Sequence, residues 1–361
     1  MRKLKQTKTW LLLSICFLIL ICSIIGYIQS KPSSNNEELT ITLTNVGFDT
    51  PVTLSATCSQ SQFSKYTKIL KKTFKENNKR FDQYNAYKGI NNVYTLNHEA
   101  YNNPIEVDDI LLDCIKVALN MQSKNSQFNI TQGNLLNLWH NSRENTQIPP
   151  TNEEIQNALQ HNDINSIKID GNNITFLDSD LSIDLGGIAK GYTAQLAKEK
   201  LNKAGLTSGY INAGGNVVLL GKKNDATKWK IGIQSPDESS ALIQYETKNA
   251  TCLVTSGDYQ RYFTYKKKKY SHIIDPQTGY PATYCRSVTV ITQDSGIADA
   301  LSTTLFCMSV EDGKKYLQSL DYQVDAIWIL DSSSDINADL ENKDYKIVTT
   351  DHIKNKVTLV D

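Results

Sequence analysis

The sequence predicts an α+β fold, and two features of its apolar pattern indicate this class. Short stretches of alternating apolar and polar residues, which are typical of half-buried strands, occur at 38–46 and 51–58 and again from 209 onward. Apolar residues three and four positions apart indicate helices at about 62–84 and 108–123. Because paired strands and helices alternate irregularly along the chain, an α+β arrangement is favoured over a doubly wound parallel sheet.

Composition limits the size and the partners of the protein. The chain has 361 residues, of which 40% are hydrophobic, and this suffices for one large domain or two intimate subdomains. Its 38 basic and 38 acidic residues balance, whereas duplex-binding proteins need a clustered basic face, so nucleic acid is not expected as a partner. We interpret the one tight basic run, Lys266–Lys269, as the solvated tip of a hairpin, since tyrosine-rich stretches flank it.

The seven cysteines show no CxxC pair and no regular spacing, so neither a metal site nor a disulfide framework is predicted. Five of them lie in the body of the chain, mostly among apolar neighbours. Cys114 and Cys307, for example, stand in the runs LDCIKVAL and TTLFCMS. We therefore expect most of the body cysteines to be small core residues.

The first 30 residues predict a membrane anchor or a signal segment. Four basic residues precede an apolar run at 10–28, which would span about 28 Å as a helix. Since basic residues stay on the cytoplasmic side, we expect a protein of the cell membrane whose body is extracytoplasmic. An uncleaved single-pass anchor is preferred because the run is long and lacks a small-x-small cleavage site; a cleaved signal peptide and a lipoprotein lipidated at Cys22 are the alternatives. Residues 31–38 predict a polar linker and 39–361 the functional domain.

The later elements are predicted in chain order from local patterns. Thr151 and Glu154 have the spacing of a capping box and predict a short helix at 151–161, and SIKIDGNNITFL predicts a hairpin that turns at 170–173. The stretch LSIDLGGIAKGYTAQLAKEKL, 181–201, begins with the alternation of a strand and continues as a helix that ends before Gly205. Strands are then expected near 209–212, 216–221, 228–234, 242–247, 259–265, 269–274 and 286–292, helices at 296–309 and 312–320, and the last strands near 325–330, 345–349 and 356–360.

Asp184, Gly186, Gly187 and Lys190 lie where the predicted strand of 181–201 meets its helix. Glycines permit close approach to the backbone and unusual dihedral angles. A helix N-terminus offers free N–H groups and positive potential to an anion, to which Lys190 adds its charge. The alternative is a tight turn in which glycine only relieves crowding, since the stretch matches neither the phosphate loop nor GxGxxG. A second strand that leads into adjacent glycines, YINAGGN, favours a long polar ligand lying against main chain.

Two later stretches carry side chains suited to catalysis. His272 in YSHIIDPQTGYPA can act as an acid or a base near neutral pH, or it can be an ordinary strand residue beside a turn. Asp299 and Thr303 in GIADALSTTLF are four residues apart and share a helix face, where their oxygens suit Mg²⁺. The alternative is that Asp299 caps the helix or faces water and that Thr303 bonds back to a carbonyl.

Five stretches occur in an order that is typical of one enzyme family: DLGGIAKGY, INAGGN, TSGDYQRYF, SHIIDPQTGYPA and DSGIADALSTTLF. With them the chain resembles the ApbE family, the FAD:protein FMN transferases. A further stretch, FNITQGNLLNLW, is more weakly similar to an earlier flavin-contacting segment of that family. The motifs cover about residues 46–309.

The resemblance implies a T-fold-like α+β architecture with FAD in a cleft between the two subdomains. It implies transfer of FMN from FAD to a threonine hydroxyl of a target flavoprotein, with release of AMP and a requirement for Mg²⁺. The implied acceptors are extracytoplasmic proteins, either subunits of Rnf-type complexes and of sodium-pumping NADH:quinone oxidoreductases (Nqr) or secreted FMN-binding domains. This agrees with the outward topology inferred from the N-terminal segment.

By matching position, the resemblance also implies roles for individual residues. Implied FAD contacts are Phe48, Tyr84, Gln127, Phe128, Asn129, Asp184, Lys190 and Ile273; implied Mg²⁺ ligands are the Gly187 carbonyl, Asp299 and Thr303; and His272 is the implied proton acceptor, oriented by Asp275. The chain departs from the family where Phe48 replaces a common methionine, Asn129 an aspartate, Asn134 a proline and His140–Asn141 a Gly-Phe pair. Contacts beside the flavin ring are therefore expected to differ more than those beside the phosphates.

Two other functions are compatible with the same residues. An FAD pyrophosphatase would use water in place of threonine and yield FMN and AMP, and it would need the same Asp299 and Thr303. A non-catalytic flavin-binding lipoprotein would be expected to lack the metal pair or His272, and both are present.

Overall fold

Residues 36–223, 227–237 and 240–360 are described by the computed structural model. The predicted membrane segment, 1–30, and most of the predicted linker lie outside the described residues, so both stay predictions. Within the described ranges, no helix combines the length and the apolar character needed to cross a bilayer. All the elements that build the site belong to one unit, Glu38–Asp361.

The described residues form α-helices, one π-helical turn and two short 3₁₀ helices. The α-helix Gly133–Asn141 is followed directly by a π-helical turn, Ser142–Thr146, and short 3₁₀ helices occur at Ile164–Ser166 and Asp351–Lys356. The α-helices are α1 (Gln60–Phe81), α2 (Val93–Glu99), α3 (Asp109–Lys124), α4 (Gly133–Asn141), α5 (Asn152–Leu159), α6 (Ala189–Lys203), α7 (Ser295–Phe306) and α8 (Val310–Gln318).

The described strands form one large sheet and three small ones. The strands are β1 (Glu37–Leu43), β2 (Val52–Cys58), β3 (Ile105–Glu106), β4 (Ile167–Asp170), β5 (Asn173–Phe176), β6 (Ser208–Ala213), β7 (Asn216–Gly221), β8 (Trp229–Gln234), β9 (Ala241–Thr247), β10 (Cys252–Gly257), β11 (Tyr262–Tyr265), β12 (Lys268–Ser271), β13 (Ser287–Thr292), β14 (Asp325–Asp331), β15 (Leu340–Glu341), β16 (Tyr345–Thr349) and β17 (Val357–Leu359). The large sheet has the order β1-β2-β6-β7-β10-β13-β14-β16-β15, and the small sheets are β11-β12, β17-β9-β8 and β3-β5-β4. Antiparallel sheets combined with helices confirm the α+β prediction.

The nine-stranded sheet is covered by a different layer on each face. Residues along one strand alternate between the layers: on β10, Leu253 packs with the β17-β9-β8 sheet, whereas Val254 packs with helices. On β13, Ile291 packs with the β17-β9-β8 sheet and Val290 packs with helices. The helical layer consists of α1 and α6 in one cluster and of α3, α7 and α8 in another. Helices α6 and α7 lie side by side against this face. The motif DLGGIAKGY runs into the start of α6, and DSGIADALSTTLF covers α7.

Several local predictions are confirmed. The Thr151 hydroxyl accepts from the Glu154 N–H at 3.3 Å, and a Glu154 carboxylate oxygen accepts from the Thr151 N–H at 2.7 Å, which is the predicted capping box. Helix α6 ends just before Gly205, whose φ is +101°. The β11–β12 hairpin turns at Lys266 and Lys267, as predicted from the basic run.

One strand prediction is wrong, and another is only partly confirmed. Residues 181–185 form no strand, because the Ile183 N–H donates to the Asn97 side chain and the Asp184 N–H to the Ile130 carbonyl, rather than to a neighbouring strand. The strand expected at 259–265 is present only as β11, and β10, which lies in the middle of the large sheet, is not predicted from the sequence.

The five described cysteines are unpaired, and all five are buried, which confirms the prediction that most of them are core residues. They are Cys58, Cys114, Cys252, Cys285 and Cys307. Burial raises the pKa of each of these thiols. They are therefore core residues that stay protonated, with little tendency to react.

Candidate functional site

A cleft of about 730 Å³ brings most of the predicted site residues together. This is a typical size for a small-molecule site. The start of α6, one face of α7, the loop between α3 and α4, and the base of the β11–β12 hairpin surround it. The predicted residues that line the cleft are Tyr84, Gln127, Phe128, Asn129, Asp184, Gly187, Lys190, His272, Ile273, Asp299 and Thr303. Phe48 and Asp275 are not among its lining residues.

The first turn of α6 leaves a backbone carbonyl unbonded beside two side-chain oxygens. The Gly191 N–H, which would close the helical bond to the Gly187 carbonyl, donates instead to Asp299 Oδ2 at 2.7 Å. Among the described backbone hydrogen bonds, none ends on the Gly187 carbonyl. A Cβ placed on Gly187 would stand 3.3 Å from Thr303 Oγ1 and 3.2 Å from the Phe128 ring. The structure thus brings near one another the three oxygen donors that the resemblance implies as metal ligands. The Thr303 hydroxyl also donates to the Asp299 carbonyl at 3.3 Å, which is the bond of the alternative interpretation.

Close packing of α6 on α7 makes this arrangement possible. A Cβ on Gly191 would stand 2.1 Å from the Ser295 carbonyl oxygen and 2.5 Å from the Asp299 Cβ. A Cβ on Gly296 would stand 3.2 Å from the Tyr192 Cα. Neither Gly186 nor Gly187 has a positive φ, so it is close approach, rather than unusual dihedral angles, that explains glycine at this position.

A buried carboxylate, Asp299, and a half-buried one, Asp184, give this end of the cleft the chemistry of a hard-cation site. Burial raises the pKa of Asp184 and of Asp299, and the Lys190 charge acts in the opposite direction on both. Asp184 is further held by the Gly186 N–H, which donates to it at 2.6 Å. A carboxylate, a hydroxyl and a backbone carbonyl suit Mg²⁺, which binds few protein ligands together with phosphate oxygens. The residues therefore fit the implied metal.

His272 lies at the base of the hairpin, where one backbone carbonyl fixes its ring. The backbone N–H of His272 donates to the Arg261 carbonyl at 3.0 Å. The ring nitrogen Nδ1 lies 3.2 Å from the same oxygen. Because a carbonyl only accepts, Nδ1 carries the proton and Nε2 has the free lone pair. Burial between the cleft walls, together with the charges of Arg261, Lys190 and Arg143, lowers the pKa of His272 to about 3. The imidazole is therefore neutral near pH 7 and able to accept a proton.

Asp275 and Phe48 are placed differently from the other predicted site residues. The Asp275 carboxylate accepts from the Gln277 N–H at 2.8 Å, and its carbonyl accepts from the Gly279 N–H at 2.9 Å, so it shapes the turn after His272. The group bonded to the His272 ring is the Arg261 carbonyl. The Phe48 ring packs edge-on against Phe74, with centroids 6.0 Å apart, in the core beside the cleft.

The amide of Asn129 is held in one orientation. Its Oδ1 accepts from the Thr131 N–H at 2.8 Å and from the Thr131 hydroxyl at 2.6 Å. Gln122 donates a third hydrogen bond to the same oxygen at 3.0 Å. Since the backbone N–H can only donate, the oxygen is fixed on this side, and the Asn129 Nδ2 is the group left for the cleft. An aspartate at this position could not donate a hydrogen bond to the cleft.

The cleft also contains side chains for which the sequence predicts no role. Arg143, on the π-helical turn, donates to Glu144 at 2.8 Å and contacts His140 Nδ1 at 3.0 Å. His140 stacks on Tyr84 with ring centroids 4.8 Å apart. Arg261 lines the cleft as well. The only sequence signal for Arg261 is its position in the TSGDYQRYF motif, whereas nothing in the pattern around Arg143 identifies it.

Comparisons with known proteins identify relatives of this chain. Residues 48–328 match the family model described as the ApbE family. The chain is 34% identical over 244 residues to a FAD:protein FMN transferase of Klebsiella pneumoniae (strain 342), covering 66% of this chain and 74% of that protein. It is 30% identical over 236 residues to a protein of the same name from Vibrio cholerae serotype O1, covering 64% and 71%.

Among solved structures, the fold is similar to the crystal structure of the ApbE protein from Thermotoga maritima. That comparison has a TM-score of 0.73 and 29% sequence identity, and it covers 81% of this chain and 94% of the other. The family model spans the cleft residues from Tyr84 to Thr303, and it covers most of the chain. This protein belongs to the ApbE family.

Proposed function

We propose that this protein transfers the FMN moiety of FAD to a threonine hydroxyl of an acceptor flavoprotein and releases AMP. The observation that carries the proposal is that a neutral histidine and a cluster of metal-suited oxygens, at the start of α6 and on α7, line one cleft. Relatives named FAD:protein FMN transferase support the same reaction.

The reaction is a displacement at one phosphorus. The threonine oxygen forms a bond to the FMN-side phosphorus of FAD, and the bond from that phosphorus to the bridging oxygen breaks. AMP leaves with the bridging oxygen, and the hydroxyl proton goes to a base. His272 Nε2 is suited to take this proton, since its lone pair is free while Nδ1–H is held by the Arg261 carbonyl.

Charge in the cleft complements a diphosphate. Lys190, Arg143 and Arg261 face the cleft, and their charges depress the pKa of His272. A bound diphosphate offsets these charges, so the histidine becomes a stronger base when FAD is present. The Gly187 carbonyl, Asp299 and Thr303 would hold Mg²⁺, which would supply positive charge to the phosphate oxygens.

The acceptors and the location form part of the proposal. The positive flank of the apolar run at 10–28 favours an extracytoplasmic body held at the cell membrane. The proposed acceptors are therefore extracytoplasmic flavoproteins with a threonine flavinylation motif, either Rnf- or Nqr-type subunits or secreted FMN-binding domains.

The test uses the full chain with FAD, Mg²⁺ and a purified FMN-binding domain that carries the threonine motif. Intact mass spectrometry of the acceptor should show a gain of one FMN, with equimolar AMP. Asp299→Ala should lower the rate by at least about 100-fold, because charge stabilisation at the phosphate is lost. Asp321→Ala, an exposed aspartate, is the matched control. AMP release with an unmodified acceptor would favour the pyrophosphatase, and bound FAD without AMP would favour a carrier.

A further inference from the structure

We propose that the β11–β12 hairpin is the docking element for the acceptor protein, and that it selects acceptors with an acidic surface beside the modified hydroxyl. This inference rests on the proposed function, because it names the chemistry of that function's protein substrate. Four features of the hairpin carry it: its charge, its connection to the cleft, its free face and the residues of its turn.

The hairpin concentrates positive charge in a chain that is neutral as a whole. The stretch RYFTYKKKKYS, 261–271, contains Arg261 and four lysines but no aspartate or glutamate, while the full chain has 38 basic and 38 acidic residues. Lys269 pairs with Asp258 at 3.2 Å. Lys266, Lys267 and Lys268 are exposed at the tip. A patch of one sign on a neutral protein steers partners of the opposite sign.

The open end of the hairpin is part of the cleft. The His272 N–H bonds to the Arg261 carbonyl, and both residues line the cleft. The four residues of strand β12 lie between the turn and His272. At about 3.3 Å per residue they span roughly 13 Å. A protein that brings a hydroxyl to His272 must therefore approach within reach of the lysines.

One face of the hairpin is anchored and the other is free. Phe263 and Tyr270 are a cross-strand pair whose ring centroids lie 5.2 Å apart, and they pack with Trp139. On the opposite face Tyr262 is 47% exposed, and the Lys269 ammonium lies 4.4 Å from its ring centroid. The hairpin is a two-stranded sheet outside the large one. It is thus a supported element with an uncovered face, unlike a charged tail.

The two lysines of the turn have backbone conformations that are unfavourable for lysine. Lys266 and Lys267 have φ values of +48° and +67°. Two-residue turns with positive φ at both positions favour Asn-Gly or Asp-Gly, because other side chains are crowded there. Backbone strain of this kind is typically retained where the residues serve a function. Placing two lysines at the tip therefore supports a role for their charge.

An acidic protein fits this surface better than an anionic membrane does. The reaction requires a protein hydroxyl at the open end of the hairpin, and no step requires a lipid there. Complementary charge across such an interface raises the association rate and sets specificity. Its contribution weakens as salt screens it.

Two variants change the charge while improving the turn. The first variant, Lys266→Asn with Lys267→Gly, removes two positive charges. The second, Lys266→Asp with Lys267→Gly, removes the same two charges and adds one negative charge. Both variants supply residues that this turn favours, so the hairpin is retained. The matched control is Lys71→Gln with Lys72→Gln. These two lysines are exposed on α1 and do not line the cleft.

The first measurement is independent of catalysis. Fluorescence anisotropy compares binding of the full chain to a labelled threonine peptide flanked by Asp and Glu with binding to the same peptide flanked by Asn and Gln. At low salt, the wild type and the α1 control should prefer the acidic peptide by about tenfold, and both tip variants should lose most of this preference. Equal binding of the two peptides by the wild type, or an unchanged preference in both tip variants, would overturn the proposal.

The second measurement uses an acceptor protein that the wild type modifies. The value of kcat/KM for the acceptor should fall about tenfold in the Asn-Gly variant and further in the Asp-Gly variant, with a weaker salt dependence. FAD affinity, measured by flavin fluorescence, should stay the same. Unchanged kcat/KM in both variants would overturn the docking proposal. It would also be overturned if the wild type bound phosphatidylglycerol vesicles more tightly than the tip variants do and showed no preference for the acidic peptide. Failure of the wild type to modify any acceptor would contradict only the proposed function.

Discussion

The orientation of the Asn129 amide decides what this wall of the cleft can bind. Asn129→Asp keeps an oxygen facing Thr131 but puts a second, negative oxygen where Nδ2 was available to donate. We expect FAD affinity to fall by about 1–3 kcal/mol, because a donor is lost and a charge is placed near an anionic ligand. Flavin fluorescence titration measures this effect. Asn120→Asp, an exposed position on α3, is the control, and equal or tighter FAD binding by Asn129→Asp would contradict the assigned orientation.

The depressed pKa of His272 gives stability a pH dependence of definite sign. The folded-state pKa is about 3, against about 6.5 for an unfolded chain, so between these values the unfolded chain binds more protons. This contribution is fully present above about pH 6.5 and is lost as the pH falls toward 3. Urea unfolding from pH 7 to pH 4 should therefore show a smaller loss of unfolding free energy in His272→Gln than in the wild type. Parallel pH curves for the two proteins would show that His272 is not buried as described.

At the scale of elements, the contact between α6 and α7 builds the metal-suited oxygen cluster. Gly191→Ala adds a methyl group 2.1 Å from the Ser295 carbonyl oxygen, and backbone cannot yield there as a flexible side chain could. Although alanine favours helices, we expect a net loss of about 1–3 kcal/mol in unfolding free energy. Chemical denaturation measures this loss. Glu199→Ala, exposed on the same helix, should stay within about 0.5 kcal/mol, and a stabilised Gly191→Ala would disprove the close contact.

Local patterns predict the elements well where burial is one-sided, and less well elsewhere. Residues 181–185 alternate like a strand, but Ser182 is only 7% exposed and the segment bonds to a side chain and to loop backbone. The alternation of apolar and polar residues at 181–185 therefore reflects a segment that packs on two sides, and it does not reflect pairing in a sheet. Strand β10 is not predictable from alternation for a related reason, because Leu253 and Val254 are both buried.

The candidate site was predictable where motifs carry it and unpredictable where tertiary contacts do. Asp299 and Thr303 share a helix face by spacing alone, and the structure places them in the cleft as expected. The carbonyl that fixes His272 comes from Arg261, eleven residues away, and Gln122 reaches Asn129 from α3. Contacts of this kind depend on how elements pack, which residue spacing does not encode.

At the scale of the whole molecule, the unit Glu38–Asp361 should fold without the N-terminal segment. A chain that starts at residue 38 is expected to unfold in one cooperative transition, since its sheet and both covering layers are complete. Adding FAD and Mg²⁺ at 100 times the dissociation constant should stabilise it by about 2.7 kcal/mol, seen as a rise in Tm. The full chain in detergent is the comparison. A non-cooperative transition, or no rise in Tm with ligands, would contradict this expectation.

The five buried thiols have a further consequence for that same fragment. Glu38–Asp361 contains those five cysteines and no others, and burial keeps each of them protonated and inaccessible in the folded state. A thiol reagent therefore reacts only when the core opens. The protein thus carries its own reporter groups, spread through the core from Cys58 on β2 to Cys307 at the end of α7, and their order of labelling would map which part of the molecule opens first.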